Sequence, residues 1–221
     1  MNSKVFVCLV LVGIVMLPLG LYAQRVEVSP YAGGFWPMKS DTLGKFKSEG
    51  LYGVRAGGFV GSKLEIGGNL GYMNHFNPSN EISTANAGAG IVNQPIRTLI
   101  WEGTADYNFT AHKFAGRAVT PYVSGGVGGM TAMIANDGQS AVFAGGTTIH
   151  DGMPVARSTH VLDNNDTFFT VSYGGGLKAL QLWGPVGLRA DVRGRTMPNF
   201  FGERLTWGEA TGGLTFSWGE R

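Results

Sequence analysis

Val186, Leu188, Ala190 and Val192 share one parity of a short stretch, and Arg189, Asp191, Arg193 and Arg195 share the other. Successive side chains of a β-strand point to opposite faces, so the spacing predicts a strand with one apolar and one charged face. Residues 97–109 repeat it, setting Leu99, Trp101, Ala105, Tyr107 and Phe109 against Thr98, Glu102, Thr104, Asp106 and Asn108. In the third such stretch, 64–74, Leu64, Ile66, Leu70 and Tyr72 oppose Lys63, Glu65 and Asn69. Near the C-terminus, in 204–218, Leu214, Phe216 and Trp218 alternate with Gly213, Thr215 and Ser217. Glycine weakens the alternation in 25–37, 51–60, 119–134 and 167–181, which complete a set of eight predicted strands.

Each strand reaches the ~9 to 11 residues that a tilted strand needs to cross a bilayer. The connections 38–50, 75–96, 135–166 and 198–203 alternate with 61–63, 110–118 and 182–185, and the first set is the longer apart from the modest 198–203. In an antiparallel up-and-down sheet the first set gathers at one end and the second at the other. Short turns on one side and long loops on the other are the asymmetry of outer-membrane barrels.

Period two does not state which face points inward, and a soluble lipocalin-like barrel with an apolar cavity shows a similar alternation. The inventory of the polar face decides between them. By parity it carries Glu27, Glu65, Glu102, Asp106, Asp191 and Glu209 as acids, and Arg55, Lys63, Lys178, Arg189, Arg193 and Arg195 as bases. Six acids facing six bases is the balance a narrow interior requires, because charges removed from water must be paired. Gly33, Gly53, Gly57, Gly67, Gly71, Gly126, Gly128, Gly174 and Gly176 lie on the same face and make room for those long side chains in a lumen of only eight strands. Trp36, Trp101, Tyr107, Phe109, Phe169, Trp207, Phe216 and Trp218 fall mostly near strand ends, as interfacial girdles do. Trp207 shares its parity with Glu209, which predicts a bulge between them.

With Pro121 to Gly128, Tyr173 to Lys178, Gly187 to Arg193 and the closing aromatic strand, the chain resembles the small outer-membrane β-barrel family of the OmpA and OmpX type. The resemblance covers the chain from Val26 to Trp218. It implies an all-β, eight-stranded, antiparallel up-and-down transmembrane barrel in the outer membrane of a Gram-negative cell, monomeric and surrounded by outer-membrane lipid. It also implies insertion by a barrel assembly machinery that reads the last strand, where Gly213, Phe216 and Trp218 match the expected spacing. Family members often end on the final aromatic, whereas this chain continues through Gly219, Glu220 and Arg221, with no OmpA-like peptidoglycan-binding domain after Trp218.

The N-terminus adds an address. Lys4, the apolar run Val5–Leu17, Pro18 and Ala23 form a secretory signal peptide over 1–23, leaving 24–221 as the barrel domain. Cys8 is the only cysteine and lies inside that run, so the exported chain has neither disulfides nor thiol chemistry. Beyond residue 24 no apolar run approaches the ~20 residues of a membrane helix.

Of 221 residues 36 are glycine and 14% are charged, which suits a barrel wall better than a wetted soluble surface. A net charge of +2 with no basic cluster argues against nucleic acid as a partner. Ser158, His160 and Asp163 are close in sequence, but proximity in a loop is not triad geometry. His75, His112, His150 and His160 lie in connections or at strand ends, and His150 and His160 with Asp163 or Asp166 lack a recognised metal-ligand spacing. No histidine-and-serine pattern on a strand matches the lipid-A-modifying barrel enzymes. The clusters Ala144-Gly145-Gly146 and Gly174-Gly175-Gly176 carry no P-loop lysine and precede no helical pattern. The expectation is therefore a protein with no catalytic residue, cofactor or metal, serving a structural, surface-interaction or low-conductance pore role, with an unidentified surface ligand open.

Overall fold

Alternation at period two becomes a closed ring of strands in the computed structural model, which describes residues 25–37, 48–76, 96–114, 117–134, 141–144, 147–150, 153–156 and 159–219. The strands are β1 (Arg25–Pro37), β2 (Glu49–Val60), β3 (Leu64–Met73), β4 (Ile96–Asn108), β5 (Arg117–Ile134), β6 (Thr167–Trp183), β7 (Val186–Phe200) and β8 (Glu203–Gly219). Each pairs antiparallel with its sequence neighbour, and β8 pairs with β1 from Trp207↔Pro37 to Gly219↔Arg25, so the barrel is closed. Closure leaves no unpaired edge among the eight. The predicted signal peptide over 1–23 lies outside the described residues, as do 77–95 of the second long connection and Ser158.

Both termini of the ring and the turns 61–63, 109–116 and 184–185 share one end. At this end His112–Phe114 pairs with Arg117–Val119 as a small hairpin continuing the wall. The opposite end carries the long connections, where Ala141–Ala144 pairs with Thr159–Leu162 and Thr147–His150 with Met153–Ala156.

One connection differs from expectation. The sequence predicts a loop over 198–203; β7 instead runs on to Phe200, and the hairpin turn is Phe201-Gly202. Both turn residues have positive φ, 54° and 85°, the pair of left-handed conformations that matches the twist of a two-residue hairpin. The register shifts between Met197 and Phe200, so Pro198 sits at an irregularity where a missing N–H is tolerated. No such shift separates Trp207 from Glu209, which stay in continuous register with β1 and β7. The predicted bulge there is absent, because both side chains point inward.

The outer face is apolar. Tyr52, Val54, Val60, Leu64, Tyr107, Val123, Val127, Phe169, Tyr173, Leu177, Leu188, Val192 and Leu214 are all exposed. Outer aromatics also explain part of the glycine excess. Trp36 lies opposite Gly208, Trp101 opposite Gly129 and Tyr173 opposite Gly194, and a Cβ at each of those glycines would fall within 2.7 Å of the ring it faces. Each aromatic thus lies flat over a neighbour without a side chain, covering backbone that glycine would expose.

Candidate functional site

The inward parity of each strand builds the lumen. Glu27, Arg55, Glu65, Glu102, Asp106, Lys178, Arg189, Asp191, Arg193, Arg195 and Glu209 are each 5% exposed or less. Eleven of the twelve charges assigned to the lumen from sequence are therefore inside. Lys63 is the exception: it ends the β2–β3 turn with its side chain exposed, because the alternation of β3 begins only at Leu64. Its backbone carbonyl accepts hydrogen bonds from the Asn108 N–H at 2.8 Å and Asn108 Nδ2 at 3.1 Å. Arg25 takes the vacant cationic role, reaching Glu27 at 3.0 Å.

The twelve charges form one connected chain. From the terminal end, Arg25 meets Glu27, which meets Lys178 at 3.2 Å; Lys178 also binds Glu65 and lies 3.8 Å from Asp106. Asp106 accepts from Arg189 at 2.7 Å, and Arg189 lies 3.3 Å from Asp191, the partner of Arg55. Arg193 bridges Asp191 at 3.9 Å and Glu102 at 3.4 Å. Arg195 closes the chain, donating at 2.7 Å to both Glu102 and Glu209. Six acids meet six bases, so no net charge is left in a low-dielectric interior.

Neutral polar groups complete the cage. Ser172 donates to Glu102 at 2.8 Å, Ser124 to Asp106 at 2.5 Å and Asn69 Nδ2 to Glu102 at 2.8 Å. The Arg55 guanidinium lies 4.3 Å from the Tyr31 ring centre, and that of Arg189 lies 4.6 Å from Tyr122. Lumen glycines leave the space. A Cβ at Gly57 would strike the Glu65 carboxylate, one at Gly126 would lie 2.7 Å from Ser172 Oγ, and one at Gly176 2.8 Å from the Tyr122 hydroxyl.

Toward the long connections the lumen changes character. Phe35, Leu51, Met73, Phe76, Ile96, Ile100, Met130, Ala132, Leu162, Met197, Phe200, Leu205 and Trp207 form one buried apolar cluster. Phe76, just past β3, is its wedge, with ring centres 6.1 Å from Phe35, 6.3 Å from Phe200 and 6.0 Å from Trp207. Trp207, expected in the girdle, is 1% exposed and donates from Nε1 to Glu209 at 2.8 Å, joining the apolar cap to the charges below. Sequence reasoning misses this cap, although most of its members lie on the same parity as the charges.

The residues weighed for chemistry do not assemble. His75 and His112 are exposed, Asp163 and Asp166 share a turn, and His160 pairs through its backbone with Phe143. Among the described residues no group of three His, Cys, Asp or Glu is placed to hold a metal ion. Leu188 and Val192 are exposed on the outer face, and Leu99 and Ile66 half-buried there, so the apolar cavity of the lipocalin-like alternative is not built from them.

No known family profile and no curated protein matches the sequence. Solved structures do match. Neisserial surface protein A (NspA) superposes with a TM-score of 0.52 at 12% identity, over 88% of this chain and 97% of that one. The N-terminal β-barrel domain of Pseudomonas aeruginosa OprF gives 0.48 at 15% identity, over 89% and 98%. Ail, the attachment invasion locus protein of Yersinia pestis, gives 0.48 at 12%, over 89% and 99%. The likeness to NspA shows the fold alone, which in this chain is a closed barrel of eight strands.

Proposed function

We propose that the protein is a non-enzymatic integral protein of the outer membrane of a Gram-negative cell, exported by the signal peptide over 1–23, inserted as a monomer and closed to solutes. Its role is structural and surface-interacting, through the long connections at one end. The observation that carries this reading is the inversion of faces: a charge-neutral, fully connected ionic lumen inside an apolar wall. A wall of this kind is soluble in hydrocarbon, whereas in water it would present an apolar patch far beyond the few hundred Å² usual for a soluble monomer. The lumen leaves no wide channel, since an eight-stranded barrel encloses little more than its own side chains. Its apolar cap excludes ions by dewetting.

The last strand supports recognition by a barrel assembly machinery. Phe216 and Trp218 project from the outer face with ring centres 6.2 Å apart, open to a partner before lipid covers them. Gly213 faces inward, where a Cβ would meet the Tyr31 Cα at 2.8 Å.

Envelope fractionation tests the location. The full chain is expected to sediment with outer-membrane markers and to need detergent for release. Recovery of native protein from the aqueous periplasmic fraction would overturn the reading.

A further inference from the structure

The turns at the terminal end carry a charge pattern that the closed barrel itself does not use. Lys63, His112, Lys113 and Arg117 are all exposed there. The described acidic residues outside the lumen, Glu49, Asp163, Asp166 and Glu203, belong to the opposite end. Among the described residues this rim is therefore purely cationic. It is also aromatic: Phe114 is 74% exposed, Trp183 62%, Trp218 52% and Phe109 46%.

Hydrogen bonds to backbone carbonyls tie these groups into one rim. The Lys63 carbonyl holds Asn108, Phe109 N–H donates to Pro121 at 2.9 Å, and Arg117 Nη1 donates to the Leu182 carbonyl at 3.3 Å beside Trp183. The hairpin His112–Phe114 thus presents Lys113 and Phe114 on a braced extension of the wall rather than on a free tail.

We infer that this rim is a docking surface for anionic phospholipid headgroups of the periplasmic leaflet. The inference rests on the outer-membrane reading, which puts the termini and short turns on the periplasmic side. Aromatic rings settle at the headgroup level, and cations beside them meet the phosphates there. Among the described residues the rim carries cations and no carboxylate, a balance that favours phosphatidylglycerol over a zwitterionic lipid.

The test reconstitutes the full mature chain in phosphatidylcholine bilayers containing a minor fraction of spin-labelled phosphatidylglycerol or, separately, spin-labelled phosphatidylcholine. The wild type is expected to immobilise phosphatidylglycerol preferentially. The preference should fall by roughly fivefold for each cation removed in Lys63→Gln and Lys113→Gln, and should fade with added salt. Both side chains are exposed and stand outside the ionic chain of the lumen, so neither substitution disturbs it. Heat-dependent gel mobility of the same samples reports insertion. Inserted, heat-resistant protein with equal retention of both lipids, or with a preference that survives both substitutions, overturns this inference alone and leaves the rim to an acidic soluble partner. Protein that never inserts overturns the outer-membrane reading as well.

Discussion

Arg195 and Arg193 are neighbours on one lumen face, yet their settings differ. Arg195 donates to two carboxylates at 2.7 Å each, while Arg193 reaches Glu102 only at 3.4 Å and Asp191 at 3.9 Å. Breaking a buried pair strands the remaining charge, at a cost of about 3–5 kcal/mol. Arg195→Met is expected to lose about that much in urea unfolding from detergent micelles, and Arg193→Met clearly less; equal losses would contradict the connected lumen. A second pair of substitutions tests the glycines. A Cβ at Gly128 would fall 2.5 Å from the Glu102 Cα, whereas at Gly103 it meets nothing within 4 Å. Overpacking costs about 1–3 kcal/mol, so Gly128→Ala should lower the unfolding midpoint and Gly103→Ala should leave it unchanged. The lumen charges are legible in the sequence because charge at strict parity has one physical explanation in a narrow barrel. Lys63 is not, since parity does not mark where a turn begins. Trp207 reads as an outward residue only when aromatic identity is weighed above its shared parity with Glu209.

At the scale of elements, the strands follow from alternation to within a few residues, because a half-buried wall imposes it. Turn chemistry is less visible. Phe201 takes positive φ beside Gly202, held by the Gly202 N–H donating to Asn199 Oδ1 at 2.8 Å and by its ring 4.8 Å from Phe200 and 5.4 Å from Phe168. Nothing in a phenylalanine predicts that conformation; tertiary packing supplies it. The apolar cap is hidden for a different reason, as its wedge, Phe76, belongs to a connection and not to a strand. Removing a buried phenylalanine costs about 3–5 kcal/mol, so Phe76→Ala should destabilise the barrel while leaving its strand content intact by circular dichroism. In planar bilayers the wild type should show no steady conductance. The double variant Phe76→Ala, Phe200→Ala should show brief openings as water enters the mouth. A wild type that conducts steadily would refute the cap as a seal.

Taken as a whole molecule, the chain inverts the arrangement of a soluble protein. Twelve paired charges lie inside, joined from Arg25 at one end to Glu209 beneath the apolar cap, and its wall exposes valine, leucine and aromatic rings. Such a ring has no edge at which unfolding can begin, and most of its lumen charges pair across strands far apart in sequence, as Lys178 does with Glu27 and Glu65. Detergent alone therefore should not open it. Comparing unheated and boiled samples of the detergent-extracted envelope fraction on a denaturing gel tests this most directly. The closed barrel predicts two mobilities, a compact band that shifts only on boiling. A single mobility, with the native protein in the aqueous fraction, would contradict a membrane barrel held shut by its charged lumen.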